Sequence, residues 1–267
     1  GRRLTEAIPS IAKPLTNDLN ASNGLNWKFD PSLNSKGNND TIGLGAKFDP
    51  NNRNRYPTGY PCEGIIASSF NITLAHIIGQ AIGEDALWAG ASGLYGFGLN
   101  LHRNPYHGRA GEYYSEDPFL TGVIGGYESL GAQEKGLYVY NKHFVLNDQE
   151  VNRSSYASWI TEQALRQEHL RPFEIAIEIS DAMCVMTAFN RIGAYWTGND
   201  YNLMTRWLRG EAGMAGFAVT DWYKSSGMNM TNGHLAGNDL PDGDATSSIQ
   251  DKGPGTGNEY FTQATRI

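Results

Sequence analysis

The sequence predicts an α/β fold in which parallel strands alternate with helices. Apolar runs with strand character at 137–144, 182–190 and 216–221 alternate with segments of helical periodicity at 155–171 and 200–209. The apolar runs end in polar or charged residues. A chain of 267 residues with 40% hydrophobic content is long enough for one barrel-sized core. The pattern fits a closed barrel or an open sheet, and periodicity alone does not choose between them.

The earlier part of the chain continues this alternation. Residues 17–59 are rich in Asn, Gly and Asp and poor in periodic apolar residues, so we predict long loops there. Residues 72–90 and 120–130 carry apolar side chains at helical spacing, which predicts two amphipathic helices. Between them, the short apolar run 99–101 leads into a loop rich in Gly and Pro. We therefore expect a strand that ends at a polar loop between these two helices.

Charge and composition exclude several classes of function. The net charge of −7 and the pI near 5.4 argue against a nucleic-acid partner, because phosphate binding needs clustered Lys and Arg. Neutral sugars are compatible with an acidic protein. We expect no membrane partner, since no apolar stretch is long enough to cross a bilayer and no signal-peptide pattern is visible. The chain begins at Gly1 without Met, as a mature or excised piece would, and a periplasmic or secreted location is slightly favoured over a cytoplasmic one.

The cysteines and ligand-type residues predict neither a metal nor a cofactor. Cys62 and Cys184 are too few and too far apart for a zinc pattern. Cys184 lies inside an apolar run, which favours a buried thiol, although a single disulfide between the two stays open. Neither a phosphate-cradling Gly loop nor a clustered set of His, Cys and carboxylate ligands is present.

The segment GFAVTDW at 216–222 carries the strongest functional signal. Its apolar run ends on Asp221, which Trp222 follows. The carboxyl end of a parallel strand is where pockets form in α/β folds. A carboxylate beside an indole suits a sugar, whose transition state needs an anion at the anomeric carbon while its apolar face stacks on an aromatic ring. The segment alone fits a helix N-cap equally well.

Other apolar runs also end in polar residues. Lys142 and His143 lie in YVYNKHFVLNDQE, Arg103 lies in GLNLHRNPYHGR, and Asn190 lies in MCVMTAFNR. Arg and Lys donate charge-assisted hydrogen bonds, and a neutral His donates one and accepts another, which suits sugar hydroxyls. A Lys-His pair alone is more often part of a solvated loop. Together the run ends predict one polar rim whose cations keep Asp221 ionised.

Five segments together resemble the catalytic (β/α) barrel domain of glycoside hydrolase family 3. They are GLNLHRNPYHGRAGEYYSEDPFLTG, NKHFVLNDQE, MTAFNRIGAYW, LMTRWLRGEAGMAGFAVTDW and AGNDLPDG, in the family's order and spacing. The resemblance implies a (β/α)8 TIM-like barrel that is incomplete or irregular at its N-terminus. It assigns 60–267 to the barrel domain and 1–59 to a poorly matched N-terminal segment of that domain.

The resemblance implies a retaining β-glycosidase, first of all a β-glucosidase. Asp221 matches the nucleophile that forms a covalent glycosyl-enzyme, and Trp222 matches a wall of the first sugar site. The implied substrates are β-linked oligosaccharides or aryl glucosides. β-Xylosidase or α-arabinofuranosidase activity stays open, as does a sugar-binding barrel fragment without turnover. The run KHFVLN disfavours an N-acetylhexosaminidase, which has Lys-His-Phe-Pro-Gly.

The same resemblance assigns the supporting residues. Arg103, Lys142 and His143 match residues that hold sugar hydroxyls, and Met186 matches a residue at the sugar edge. Arg109 lines the substrate pocket and pairs with a nearby glutamate.

Three further assignments concern the surroundings of the pocket. Glu112 is the partner of Arg109 in that ion pair, and Asn147 and Glu150 support the site from behind. Phe189 stands where the family commonly has Tyr, so a hydroxyl that would touch the nucleophile is missing.

Two family features have no clear match in the sequence. The family's sugar-binding Asp lies in a short Asp-Gly-Pro segment, and Asp40 is the candidate for it within residues 1–59. The acid/base Glu comes from a separate α/β sandwich domain, which finds no match before Ile267. We therefore expect a sandwich domain or a second chain to supply it.

Overall fold

The computed structural model describes residues 3–5, 16–25, 58–223 and 228–242. Its elements in chain order are β1 (Arg3–Thr5), β2 (Thr16–Ser22), β3 (Gly24–Leu25), α1 (Glu63–Ser68), α2 (Ile72–Trp88), β4 (Gly93–Tyr95), α3 (Pro118–Gln133), β5 (Tyr138–Phe144), β6 (Ala157–Ser158), α4 (Glu162–Ala164), α5 (Arg171–Ser180), β7 (Cys184–Thr187), β8 (Arg191–Ile192), β9 (Tyr195–Trp196), β10 (Phe217–Trp222), α6 (Met230–Ala236) and β11 (Leu240–Asp242). Two π-helical segments, Leu165–Leu170 and Asn202–Glu211, and two 3-10 turns, Ala110–Glu112 and Thr197–Asn199, complete the described part.

The main sheet contains six parallel strands in the order β2-β4-β5-β7-β10-β11. Strand β1 pairs antiparallel with β2, and β3 forms a short antiparallel pair with the end of β2. Neighbours in the parallel sheet follow one another along the chain, mostly with helices between them, which is the connectivity of a (β/α) barrel wall. The predicted α/β fold is confirmed, and the described strands form part of a barrel.

Small residues allow the helices outside the sheet to pack closely. A Cβ at Gly79 of α2 would lie 2.0 Å from the carbonyl oxygen of Glu128 in α3. A Cβ at Gly131 of α3 would likewise lie 2.2 Å from the carbonyl oxygen of His76. Both distances are far below van der Waals contact, so only glycine permits this approach of α2 and α3. Apolar side chains of both helices belong to the same buried core cluster as those of β2, β4 and β5.

Successive side chains on each strand point alternately toward the helices and toward the barrel interior. Leu19 and Ala21 of β2 belong to the core beneath the helices. Because successive side chains on a strand point to opposite faces, Asp18 faces the interior. There it accepts hydrogen bonds of 2.5 Å and 2.9 Å from the hydroxyls of Tyr138 and Tyr140 on β5. A hydrogen-bonded carboxylate thus lies in the barrel interior, beside a cluster of buried apolar side chains.

Three segments differ from the prediction. The strand expected at the apolar run 99–101 lies earlier, at Gly93–Tyr95. Within 17–59, predicted as loops, the described residues form β2 and β3; β2 was missed because its interior positions are polar and its apolar alternation is short. The helix predicted at 155–171 instead covers 162–180. It continues because Pro172 lies in the first turn of α5, where a missing N–H is tolerated. Asp40 lies outside the described residues.

Two further predictions concern membranes and thiols. None of the helices in the described ranges is long and apolar enough to span a bilayer. Cys62 and Cys184 are both free thiols, so the disulfide left open by the sequence is not formed. Cys184 is buried as predicted, and its burial raises the pKa of the thiol to about 12.

Candidate active site

A cavity of about 900 Å³ lies at the carboxyl ends of the parallel strands. Barrel enzymes carry their functional groups at this end, because the loops leaving the strands surround it. The side chains that give the cavity its chemical character are Asn20, Ser22, Asn23, Arg109, Glu112, Lys142, His143, Arg153, Met186, Asp221, Trp222 and Asp242.

Six residues predicted from the sequence line this one cavity: Arg109, Lys142, His143, Met186, Asp221 and Trp222. Arg103 is not among the lining residues. Its half-exposed guanidinium points to the helical segment after β6, with Nη1 2.9 Å from His169 Nε2 and 3.9 Å from Glu168 Oε2. The structure therefore gives no support to Arg103 as a contact for sugar hydroxyls.

Strand β10 delivers Asp221 to the cavity. Phe217 and Val219 pack in the interior cluster and Ala218 packs on the helix side, so Asp221 continues the interior side. Its Oδ1 accepts a 2.7 Å hydrogen bond from the backbone N–H of Trp222. Its Oδ2 has no hydrogen-bond partner among the described residues. Burial raises the pKa of Asp221 to about 6, although the charge of Arg109 and the Trp222 N–H act in the opposite direction.

Glu112 holds two cationic side chains at the cavity wall. Its Oε1 lies 2.7 Å from Lys142 Nζ, and Arg109 donates to both oxygens, Nε to Oε2 at 2.8 Å and Nη2 to Oε1 at 2.9 Å. Burial alone would raise the pKa of Glu112, but Lys142 and Arg109 hold it well below its usual range. Lys142 also donates to the carbonyl oxygen of Tyr95 at 2.9 Å. Since an ammonium has three N–H donors, one remains for a ligand.

His143 is buried, and protein groups contact both of its ring nitrogens. Nε2 lies 2.9 Å from Arg109 Nη2, and Nδ1 lies 3.1 Å from Tyr113 Oη. Its backbone is fixed by Asn100, whose Oδ1 accepts from the His143 N–H and whose Nδ2 donates to the His143 carbonyl. Burial and the charge of Arg109 hold the pKa of His143 well below its usual range. The imidazole is therefore neutral and fixed in orientation at neutral pH.

Five of these side chains, Asn20, Ser22, Asn23, Arg153 and Asp242, were not singled out from the sequence. Asn20 lies two residues before the end of β2 and Asp242 ends β11, so the strand-end signal that identified Asp221 applies to both once the strands are known. Arg153 follows β5, with its guanidinium 4.1 Å above the centre of the Phe189 ring and Nη1 2.7 Å from Glu150 Oε2. Neither contact of Arg153 could be found from the sequence, because both depend on how the loop folds.

The cavity contains a candidate nucleophile and candidate sugar-binding groups, and the described residues form no metal centre. A carboxylate, two cationic donors and an indole ring share one wall. Across the described ranges, no three His, Cys, Asp or Glu side chains are placed to hold a metal ion. A carboxylate beside donors for hydroxyl groups can attack a ligand as a nucleophile.

Residues 50–238 match the family model described as the glycosyl hydrolase family 3 N terminal domain. The chain is 38% identical over 164 residues to a probable beta-glucosidase I of Aspergillus flavus and 40% identical over 163 residues to a beta-glucosidase of Ruminococcus albus. Each match covers 61% of this chain, and 20% and 17% of those proteins respectively. The chain thus spans about a fifth of the length of these curated relatives.

This chain is also similar to solved structures of beta-glucosidases. The structure of beta-glucosidase 3B from Thermotoga neapolitana in complex with glucose is 33% identical, with a TM-score of 0.79, over 93% of this chain and 32% of that one. The GH3 beta-glucosidase of Bifidobacterium adolescentis has a TM-score of 0.81 at 24% identity, over 98% of this chain and 35% of that one, which supports the fold alone.

Proposed function

This chain belongs to glycosyl hydrolase family 3, and on that premise we propose that it acts as a retaining β-glucosidase on terminal β-linked glucosides. One observation carries the proposal. Asp221, at a strand end, lines a cavity that also contains Lys142, Arg109 and Trp222. The names of the similar proteins, beta-glucosidases from fungi and bacteria, support the choice of sugar.

The proposed reaction starts at Asp221. The N–H of Trp222 orients the carboxylate through Oδ1, and a carboxylate oxygen attacks the anomeric carbon. A bond forms between that oxygen and the anomeric carbon while the glycosidic bond breaks, and the leaving oxygen takes a proton from a general acid. Water then cleaves the covalent intermediate, gives its proton to the same group acting as a base, and releases the sugar and the carboxylate.

The remaining cavity residues hold the sugar. The third N–H of Lys142 and the Nη1 group of Arg109 donate to hydroxyls, and the partly exposed ring of Trp222 stacks on the apolar face of the sugar. We assign to Asn20 the sugar-binding role for which Asp40 was the candidate from the sequence. Asn20 lies near the end of β2, and it lines the cavity. An amide there can both donate to and accept from a hydroxyl.

We assign the acid/base to a sandwich domain or a second chain. Glu112 is bound by Lys142 and Arg109, and the two oxygens of Glu150 accept from Arg153 and Asn147. In these positions both carboxylates are oriented by their partners, and Lys142 and Arg109 hold the pKa of Glu112 well below its usual range. Asp242 lines the cavity together with Asp221 and Glu112. It is therefore the competing candidate for the acid/base within the described part of this chain.

A trapped intermediate tests the nucleophile. A 2-deoxy-2-fluoro-β-glucoside with a dinitrophenolate leaving group needs no acid to depart, so it should label Asp221, as peptide mass spectrometry would show. Matched xyloside and arabinofuranoside probes rank the sugars. A label on another residue removes Asp221 from this role. Absence of any label, together with measurable glucose binding, favours a sugar-binding barrel without turnover.

The dependence of the rate on the leaving group tests the source of the acid/base. General acid help is worth about 100- to 10,000-fold for a poor leaving group, so this chain alone should show a steep dependence on leaving-group pKa. Efficient cellobiose hydrolysis by this chain alone would contradict an external acid. Asp242→Asn would then be the first variant to examine.

A further inference from the structure

We propose that Arg109 and Tyr113 lock His143 in the neutral tautomer that carries its proton on Nδ1, and that this lock keeps the Asp221 carboxylate free of a hydrogen bond from His143. Tyr113 is then a positioning residue, because it is buried behind His143 and does not line the cavity. The tautomer rests on hydrogen-bond geometry alone. Only its catalytic consequence rests on the proposed function of Asp221.

The first step concerns Nε2 of His143. Arg109 Nη2 lies 2.9 Å from this nitrogen. A guanidinium is always protonated and has donors only, so Nε2 must accept this hydrogen bond with its lone pair. The second hydrogen on Nη2 is directed to Glu112 Oε1 at 2.9 Å, and Nε of the same arginine is bonded to Glu112 Oε2. The fork on Glu112 therefore fixes the direction from which Arg109 approaches the ring.

The second step concerns Nδ1. A neutral imidazole with an unprotonated Nε2 carries its proton on Nδ1. Tyr113 Oη lies 3.1 Å from Nδ1 and accepts a hydrogen bond from this N–H. Asn147 Nδ2 donates to the same oxygen at 3.0 Å and to Glu150 Oε1 at 3.0 Å, so the acceptor is itself held in place. Both ring nitrogens then have the partner that this tautomer needs.

The third step concerns Asp221. His143 Nε2 lies 3.5 Å from Asp221 Oδ2, and Oδ2 has no hydrogen-bond partner within the described part of the chain. In the other tautomer Nε2 would carry an N–H. That N–H would face the N–H donor of Arg109 on one side and the Asp221 carboxylate on the other. A hydrogen bond to the charged carboxylate would stabilise it, which weakens it as a nucleophile. The lock thus keeps the Asp221 carboxylate without a hydrogen bond from His143.

Charged groups surround His143 from several elements. Arg109 and Glu112 come from the loop after β4, Lys142 is its neighbour on β5, Arg153 comes from the loop after β5, and Asp221 comes from β10. The three cations disfavour a second proton on the ring, while Glu112 favours it. Burial and the cations prevail, which keeps the ring neutral.

Nitrogen NMR of the intact chain tests the tautomer. With 15N-labelled histidine at pH 7.5, two-bond 1H–15N spectra separate the Nδ1–H, Nε2–H and doubly protonated forms. The His143 signals are identified by their loss in His143→Gln. We expect Nδ1–H for the wild type. An Nε2–H or doubly protonated ring in the wild type overturns the proposal, whether or not the chain hydrolyses glucosides.

Tyr113→Phe tests the role of the hydroxyl. This variant removes the acceptor at Nδ1, so a measurable Nε2–H fraction should appear. Where turnover is measured, the acid limb of kcat/KM should move to lower pH by about one unit, the size expected for one hydrogen bond to a charged group. The matched control is Tyr114→Phe, since the Tyr114 hydroxyl is equally buried and donates instead to Glu128. A folded Tyr113→Phe variant with the wild-type tautomer and acid limb contradicts a role for Tyr113.

Discussion

Asp221 Oδ2 lies 3.5 Å from His143 Nε2, yet no hydrogen bond joins the two atoms. A buried carboxylate oxygen without a hydrogen bond is costly to a folded protein. The charges of Arg109 and Lys142 reduce this cost without removing it, because the pKa of Asp221 stays raised at about 6. The buried carboxylate therefore lowers the stability of the folded chain, and its effects on activity and unfolding can be measured.

The first prediction concerns turnover. Asp221→Asn should lower kcat by roughly three orders of magnitude or more, because an amide of nearly the same shape is a poor nucleophile. Aryl glucoside hydrolysis measures it, with circular dichroism to verify folding. The control is Asp181→Asn, an exposed residue at the end of α5 with φ of 50°, where Asn is well tolerated. More than about a tenth of the wild-type activity in Asp221→Asn would refute the nucleophile assignment.

The second prediction concerns the pH profile. Attack requires the ionised carboxylate, and burial raises the pKa of Asp221 to about 6. We expect kcat/KM for an aryl glucoside to fall as pH decreases through about 6, with a slope of one proton. An acid limb near 4 would indicate that substrate-free Asp221 is better solvated than the structure shows.

The third prediction concerns stability. The folded-state pKa of Asp221, about 6, exceeds the ordinary value of 3.8, so the folded state binds more protons than the unfolded state between these values. The free energy of unfolding therefore decreases as pH rises through this window and stays lowered above it. Asp221→Asn removes this effect and should stabilise the chain by about 2–3 kcal/mol at pH 7.5 and by less at pH 5. Urea unfolding at both pH values measures it, and equal effects at both would contradict the linkage.

The fourth prediction compares two arginines of one loop. Arg109→Ala and Lys142→Ala should each lower kcat/KM by roughly 10- to 150-fold, because each loses a charge-assisted hydrogen bond worth about 1.5–3 kcal/mol. Arg103→Ala should change kcat/KM by less than about threefold, since its guanidinium contacts His169 outside the cavity. The measurement is kcat/KM of the three variants with one aryl glucoside. An equal loss in Arg103→Ala would restore the sequence-based assignment of that residue.

The fifth prediction concerns Glu112. Glu112→Gln leaves Lys142 and Arg109 without a counter-charge in a mostly buried position, so unfolding should become easier by about 3 kcal/mol. The pKa of Glu112 is held well below its usual range, so its stabilising contribution persists down to acidic pH and is lost only as pH falls far below 4.5. Glu134→Gln, at an exposed carboxylate that His76 and Gln80 contact, is the control. Equal losses of unfolding free energy in the two variants would show that the ion pairs of Glu112 contribute little to stability.

Much of the site could be predicted because strand ends have a signal in the sequence. The apolar runs of β5, β7 and β10 each end in polar residues, and parallel strands bring these ends to one edge. Asp221, Lys142 and His143 were found in this way, and the resemblance to glycoside hydrolase family 3 is confirmed by the family match. Strand β2 gave a weaker signal, since Asp18 and Asn20 are polar residues facing the barrel interior, so the cavity contact of Asn20 was missed.

The sequence by itself determined the alternation of strands and helices, the family, and the strand-end residues, because periodicity and residue order are properties of the chain. Only the tertiary structure decided which loop side chains reach the cavity. Arg103 and Arg109 lie six positions apart in one loop, but the 3-10 turn at Ala110–Glu112 brings Arg109 onto Glu112 and His143. A loop has no repeating direction for its side chains, so the contacts that distinguish the two arginines exist only after β4, β5 and β10 have come together.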